Sequence, residues 1–284
     1  MTTIISVNGR VGPETAVIPV LDRGFLYGDS VYEVLRTYRG EPFALEPHLG
    51  RLQRSADLLE IRLPVPLATL VAEMRAALAE AQNPESYLRV IVTRGAGPIG
   101  LDPELAVEPS RVIIVTELHE LPSELYQRGA AIALVAVGRS GGGGVPAGAK
   151  SGNYLVNIMA LRAARRRGAH EAVMVDASGC LTEGTSSNVF AVREGRLSTP
   201  PLSAGILSGI TRGKVMELAR DEELTVEERD LRPGDLTLAD EVFLTSTLRE
   251  VLPVTEIDGQ PVQGGAPGPV TRRLAELYRQ RTGR

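Results

Sequence analysis

Two segments with different periods stand side by side early in the chain. In DSVYEVLRTY, residues 29–38, Tyr32, Val34, Arg36 and Tyr38 alternate at period two, the mark of a strand. Directly after it Leu45, Leu49, Leu52, Ala56 and Leu59 recur at spacings of four and three, the stripe of an amphipathic helix ending near Pro64. A chain that changes period this quickly has to lay helices against a sheet. The stripe Leu67, Leu70, Val71, Met74 and Leu78 predicts a second helix, and SYLRVIVTR and RVIIVTEL predict two further strands. Alternation in the first of these puts Tyr87 and Arg89 on the same face.

The apolar alternation lapses from about Leu118 to Arg128, through HELPSELYQR. This predicts a linker over 119–128, with a small α/β domain over 1–118 and a larger domain over 129–284. The second half opens on the strand AAIALVAV. GRSGGGGVPAGAK follows, where Gly141–Gly144 reads as a mobile loop; a phosphate cradle is the alternative, although the spacing is not that of a P-loop. A helix near 153–167 comes next, then the strand EAVMVD, a DASG turn, strands around CLTE and NVFAVR, a helix from Ile210, and the strand EVFLTST. The fold class expected is α+β in two domains.

With 284 residues, both domains are long enough to bury a core. The 31 basic residues against 35 acidic ones leave a net charge of −4, which offers no electrostatic footprint for nucleic acid. His48, His119 and His170 share no metal-ligand spacing, so no metal is expected. Cys180 is the only cysteine and cannot form an intramolecular disulfide. MTTIISVNGR has neither a basic nor an apolar leader region, and no apolar run reaches membrane-spanning length. The expectation is a cytoplasmic protein without membrane partners.

Among the basic residues only two are lysines, Lys150 and Lys214. Only lysine offers an amine that deprotonates readily and forms a Schiff base. Lys214, in TRGKVMELAR, reads as a residue of a charged helix. Lys150, in VPAGAKSGNYLVN, is flanked by small residues that let a bulky group approach. It reads either as an exposed helix-start lysine or as a nucleophile. Glu183, in LTEGTSSNVF, is either a strand-end carboxylate or a partner for a cationic heterocycle. In LSGITRGK, Ser208 is a candidate N-cap for a helix whose first N–H groups, at Ile210 and Thr211, suit an anion. Arg51 lies near the apolar stripe of its helix, and Ser246 and Thr247 close a strand with hydroxyl and amide donors.

The ordered set RGFLYGDSVYEVLRTY, HLGRL, YLRVIVTRG with GLDP, AKSGNY, LTEGTSSNVF, LSGITR, and FLTST followed by EVLPVTEIDG resembles the class IV aminotransferases, the fold-type IV pyridoxal-phosphate enzymes. The likeness covers nearly the whole chain. It implies a small N-terminal α/β domain and a larger C-terminal pseudo-barrel domain with pyridoxal 5'-phosphate between them, in a homodimer. Position by position, it implies that Lys150 is the Schiff-base lysine and catalytic base. Glu183 then faces the pyridine nitrogen, Tyr154 the phenolate, and Arg51, Ile210, Thr211, Ser246 and Thr247 surround the cofactor, chiefly at its phosphate.

Tyr27, Tyr32, Val34, Arg36, Tyr87 and Arg89 fall where the branched-chain enzymes surround their substrate, with Arg89 a candidate carboxylate clamp. Val34 stands where those enzymes carry a glycine and is similar to the D-amino-acid aminotransferases. VTRGAGPIG lacks the histidine of typical D-enzymes. The expected partners are an amino acid and a 2-oxo acid, with apolar or branched-chain L-substrates preferred. The alternatives are a D-amino-acid aminotransferase, an aminodeoxychorismate-type lyase, and a non-catalytic pseudoenzyme binding phosphate ligands.

Overall fold

The computed structural model describes residues 3–12, 16–137, 146 and 148–283. They form two compact units, one of residues up to His119 together with Ala149–Asn153, the other of Glu120–Gly148 and Tyr154 onward. The boundary therefore falls at residues 119 and 120. The stretch read as a linker holds a helix of the second unit, and five residues from the expected C-terminal domain belong to the first. Gly141–Gly144 lie outside the described residues.

The first unit runs β1 (Ile4–Val7), β2 (Arg10–Gly12), α1 (Arg23–Tyr27), β3 (Ser30–Tyr38), β4 (Glu41–Pro42), α2 (Leu45–Leu58), α3 (Leu67–Ala81), β5 (Ser86–Ala96) and β6 (Glu108–Glu117). Its six strands pair antiparallel in the order β2-β1-β6-β5-β3-β4. The stripes of α2 and α3 bury Leu49, Leu52, Leu70 and Met74 against Val31 and Leu35 of β3 and Leu88, Val90 and Val92 of β5. That packing fixes register. A slip of one residue in β3 would turn Val31 and Leu35 away from the helices. The opposite face carries Tyr32, Val34 and Arg36 of β3, whose neighbours across the ladder are Ile91, Arg89 and Tyr87.

The second unit runs α4 (Ser123–Arg128), β7 (Ala130–Ala136), α5 (Leu155–Arg166), β8 (Glu171–Val175), β9 (Leu181–Gly184), β10 (Asn188–Arg193), β11 (Arg196–Thr199), α6 (Ile210–Asp221), β12 (Thr225–Glu228), α7 (Pro233–Thr237), β13 (Glu241–Ser246), β14 (Glu250–Ile257), β15 (Gln260–Pro261) and α8 (Pro269–Thr282). Its sheet has the order β12-β11-β10-β13-β14-β7-β8-β9, with β15 added beside β14. Parallel pairing is confined to β11–β12, β14–β7 and β7–β8.

This order cannot be flat. In a planar sheet β9 and β10 would lie about 24 Å apart at the usual spacing of strands. Yet only residues 185–187 separate them in the chain, a reach of roughly 13 Å. The sheet must curl until β9 returns beside β10, where the two are in contact. This is the barrel-like sheet that the family resemblance implied. No helix among the described residues is long and apolar enough to cross a membrane.

Candidate active site

In the first unit the functional side chains divide between the two faces of β3. On the helix side Glu33 is fully buried and is gripped by α2: Arg51 donates from Nε to Oε1 at 2.6 Å and from Nη2 to Oε2 at 2.8 Å. His48 Nδ1 reaches Oε2 at 2.7 Å. Burial pushes the Glu33 carboxyl upward, but the hydrogen bonds from Arg51 and His48 outweigh it and hold the group at about 2. His48 is pushed down, first by burial and then by the positive charges of Arg51 and Lys150, against the pull of Glu33. With Glu33 ionised, Nδ1 carries the proton and donates it.

The segment Ala149–Asn153 is pinned to this same unit by backbone contacts. Lys150 N donates to Ser55 Oγ of α2 at 3.1 Å, and Tyr32 N donates to the Lys150 carbonyl at 3.0 Å. Ser151 forms an antiparallel bridge with Val31, and Gly152 N donates to the Ser30 carbonyl at 2.9 Å. The Lys150 ammonium stands 4.5 Å from the centre of the Tyr32 ring, and the Arg89 guanidinium carbon lies 4.1 Å from the same centre. One ring thus brings together the Lys150 amine and the Arg89 guanidinium.

Val34 is opposite Arg89 in the ladder, and Tyr87 is opposite Arg36. Arg36 is buried and covers the Tyr38 ring at 4.4 Å. Tyr27 is placed differently, as the last residue of α1, where its hydroxyl accepts from Gly100 N at 3.3 Å.

The second unit gathers the remaining residues. Glu183, near the end of β9, accepts at Oε2 from Leu207 N at 2.9 Å and from Asn188 Nδ2 at 3.5 Å. Tyr154 is the N-cap of α5. The expected cap at Ser208 is corrected: Gly209 is the N-cap of α6 and makes no side-chain cap. Gly209 has the extended backbone of a cap directly before Ile210, which leaves Ser208 one residue outside the helix, and a Cβ added at Gly209 would collide with Asn188 Oδ1. Ile210 and Thr211 open the helix, and the Thr211 hydroxyl pairs with the Tyr278 hydroxyl at 3.3 Å. Ser246 ends β13 and accepts from Arg249 N at 3.2 Å through its hydroxyl, while Thr247 begins the turn into β14.

The donor set suits a phosphorylated pyridine aldehyde. There is an amine in Lys150 and a carboxylate in Glu183 already oriented by a backbone N–H. For phosphate the chemistry offers the buried Arg51 guanidinium and, in the second unit, a helix start without a side-chain cap. The buried hydroxyls of Ser187 and Thr245 make no hydrogen bond, and they lie in the strands and loops leading to Asn188 and Ser246. Such orphaned buried donors leave hydrogen-bonding capacity that a polar ligand or water can use. Among the described residues no cluster of His, Cys, Asp and Glu could hold a metal ion.

The sequence pattern assigned Glu33 no role and weighed His48 only as a metal ligand. The signal was present. Alternation turns Glu33 away from Tyr32 and Val34, and His48, Arg51 and Ser55 recur on α2 at three and four residues, adjoining its apolar stripe.

A curled mixed sheet, Lys150 delivered beside an antiparallel sheet, and a strand-end carboxylate at Glu183 are the features of a fold-type IV enzyme. The family model of amino-transferase class IV matches residues 30–257, and the chain belongs to that family. It is 37% identical over 276 residues to a putative branched-chain-amino-acid aminotransferase of Methanocaldococcus jannaschii, covering 97% of this chain and 95% of that one. It is 36% identical to the D-alanine aminotransferase of Bacillus licheniformis, over 94% of this chain and 93% of the other. The branched-chain amino acid aminotransferase from T.th., solved with pyridoxamine 5'-phosphate, superposes with a TM-score of 0.93 at 31% identity, covering 99% of this chain and 94% of that one.

Proposed function

We propose that this aminotransferase moves the amino group of apolar and branched-chain L-amino acids to a 2-oxo acid, with pyridoxal 5'-phosphate as cofactor. The observation that carries the reading is the placement of Lys150 Nζ and the Arg89 guanidinium on the Tyr32 ring, at 4.5 and 4.1 Å. An α-amino acid needs a base for its Cα proton and a cation for its carboxylate, and these two residues supply them. When bound, the cofactor supplies a carbonyl that captures the amino group and an electron-poor ring that takes up charge from Cα.

The chain's own residues do the rest. Lys150 Nζ accepts the Cα proton and gives it up again. Glu183 holds a proton on the pyridine nitrogen, and Tyr154 serves the ring hydroxyl. Arg51, Ile210, Thr211, Ser246 and Thr247 hold the phosphate. Tyr27, Tyr32, Val34, Arg36 and Tyr87 shape the substrate side, where the branched aliphatic Val34 and the aromatic rings favour an apolar substituent.

A homodimer in the cytoplasm belongs to the same proposal. Leu155, Val156, Ile158 and Met159 of α5 are more than half exposed in the single chain, an apolar surface that a second copy would cover. The lone cysteine suits a reducing compartment.

The test is a half-reaction in which separate L- and D-amino acids are added to the loaded enzyme and the cofactor absorbance is followed. Loss of the absorbance with L-leucine or L-valine is expected. Reaction with D-amino acids alone would overturn the substrate assignment. Lys150→Ala is expected to remove the lysine-linked absorbance and to lower transfer by more than about 100-fold; full turnover in that variant would end the assignment altogether.

A further inference from the structure

Two loop tips in the second unit adjoin residues assigned above to the cofactor. The loop 185–187 follows Glu183 and precedes Asn188. The turn 247–249 follows Ser246 and includes Thr247. Each tip is tied down from its own side: Asn157 Nδ2 donates to the Thr185 carbonyl at 2.8 Å, and the Tyr126 hydroxyl donates to the Arg249 carbonyl at 3.1 Å. Beyond the backbone pairing of Asn188 with Thr245, the Arg249 side chain reaches from one tip to the other.

Arg249 donates from Nη1 to Ser186 Oγ at 2.8 Å, and its Nη2 lies 2.9 Å from Glu171 Oε2 on β8, an ion pair without the alignment of a hydrogen bond. Glu171 is fully buried. Its other oxygen accepts from Ala172 N at 3.0 Å and from the Thr185 hydroxyl, so the same carboxylate holds the loop that Arg249 reaches. Arg249 N, meanwhile, donates to Ser246 Oγ and closes the turn on itself. Glu171 is thereby the common anchor of both tips, and Arg249 is the member that a small displacement of either tip would disengage.

We propose that Arg249 is a positioning residue for phosphate binding, acting through the turn that carries Ser246 and Thr247 and held in place by Glu171 and Ser186. A charged fork suits the task. Guanidinium can meet a carboxylate and a hydroxyl at once in fixed geometry, whereas an ammonium acts as a point charge and holds one of them. The inference rests on the reading of Thr247 and its turn as part of the phosphate site.

Equilibrium dialysis of the apoenzyme against pyridoxal 5'-phosphate and against pyridoxal, which lacks the phosphate, tests it. Arg249→Lys is expected to weaken the phosphorylated ligand several-fold, and the double variant Arg249→Met with Glu171→Gln to weaken it about tenfold or more. Pyridoxal affinity should stay unchanged in both. The double variant removes both charges together, so no buried carboxylate is left bare, and thermal melts of the apoenzyme verify that it folds. Equal losses for both ligands, or none for either, would overturn the inference. Thr247→Ala separates the two levels. If it leaves the preference for the phosphorylated ligand intact, the phosphate reading of the turn fails and takes the inference with it. If it lowers that preference while the Arg249 variants do not, the inference alone falls.

Discussion

Arg51 and Glu33 meet fork to fork, Nε on Oε1 and Nη2 on Oε2, with the carboxylate fully enclosed between β3 and α2. The guanidinium assigned to phosphate is therefore held rigid before any ligand arrives. Replacing Glu33 by Gln leaves a buried arginine uncompensated, which is expected to cost about 3–5 kcal/mol. Denaturant unfolding of the apoenzyme measures it.

The same pair makes the fold sensitive to acid. The Glu33 carboxyl is depressed from 4.5 to about 2, so it contributes stability fully above its unfolded value, lost as pH falls from 4.5 toward 2. His48 is also depressed from 6.5, so the unfolded chain takes up its proton first and stability begins to fall below pH 6.5. Melting temperature plotted against pH should decline in two stages. His48→Gln, which can still donate to Glu33 but cannot titrate, should flatten the first stage and leave the second. An unchanged profile would place the acid-sensitive group elsewhere.

Arg89 is expected to act on substrate binding. Arg89→Ala should raise KM for the amino acid by about 10- to 100-fold, the usual worth of a charge-assisted hydrogen bond to a carboxylate. Arg89→Lys should recover little of it, since stacking on the Tyr32 ring favours the planar guanidinium. Steady-state kinetics that separate KM from kcat decide the point, and a KM at the wild-type value would free Arg89 from the role.

Association is testable on α5. Leu155 and Met159 lie one turn apart and are 71% and 51% exposed. Leu155→Glu with Met159→Glu should shift the sedimentation coefficient from dimer to monomer without changing the helical circular dichroism. A wild-type chain that sediments as a monomer would contradict the dimer directly.

Gly95 offers a test of the sheet. It sits in a bulge where β5 carries two residues, Arg94 and Gly95, against one of β6, with φ at +109°. A Cβ there would collide with the Glu108 carbonyl. Gly95→Ala is expected to destabilise the chain by at least about 1–3 kcal/mol, read from chemical denaturation.

Period alone exposed much of this molecule. The alternation in DSVYEVLRTY separated the Tyr32, Val34 and Arg36 face of β3 from the core face of Val31 and Leu35, and the stripe from Leu45 onward gave the core face of α2, because an amphipathic element shows its buried side in the spacing of its apolar residues. The C-terminal helix α8 and the strand β14 were not anticipated. In β14 nearly every residue is buried, so there is no polar alternation to read. The mean polarity of α8, with its many arginines, masks the stripe formed by Thr271, Leu274 and Tyr278.

For the site, Lys150 stood out by scarcity and Glu183 by its place at the end of a strand. Arg249 was invisible, since its partners Ser186 and Glu171 are 63 and 78 positions away and meet it only because the sheet curls.

The return of Ala149–Asn153 to the first unit bears on the order in which the protein is made. A ribosome that has released residues 1–119 has delivered every strand of the six-stranded sheet, together with the Arg51–Glu33 fork and the Arg89–Tyr32 stack. It has not yet delivered the amine. The nascent sheet can assemble the side that carries Tyr32 and Arg89 before Lys150 emerges and Ser151 bridges to Val31. In this chain the amine joins the sheet by a late tertiary contact, after the surface on which it stands has been synthesised.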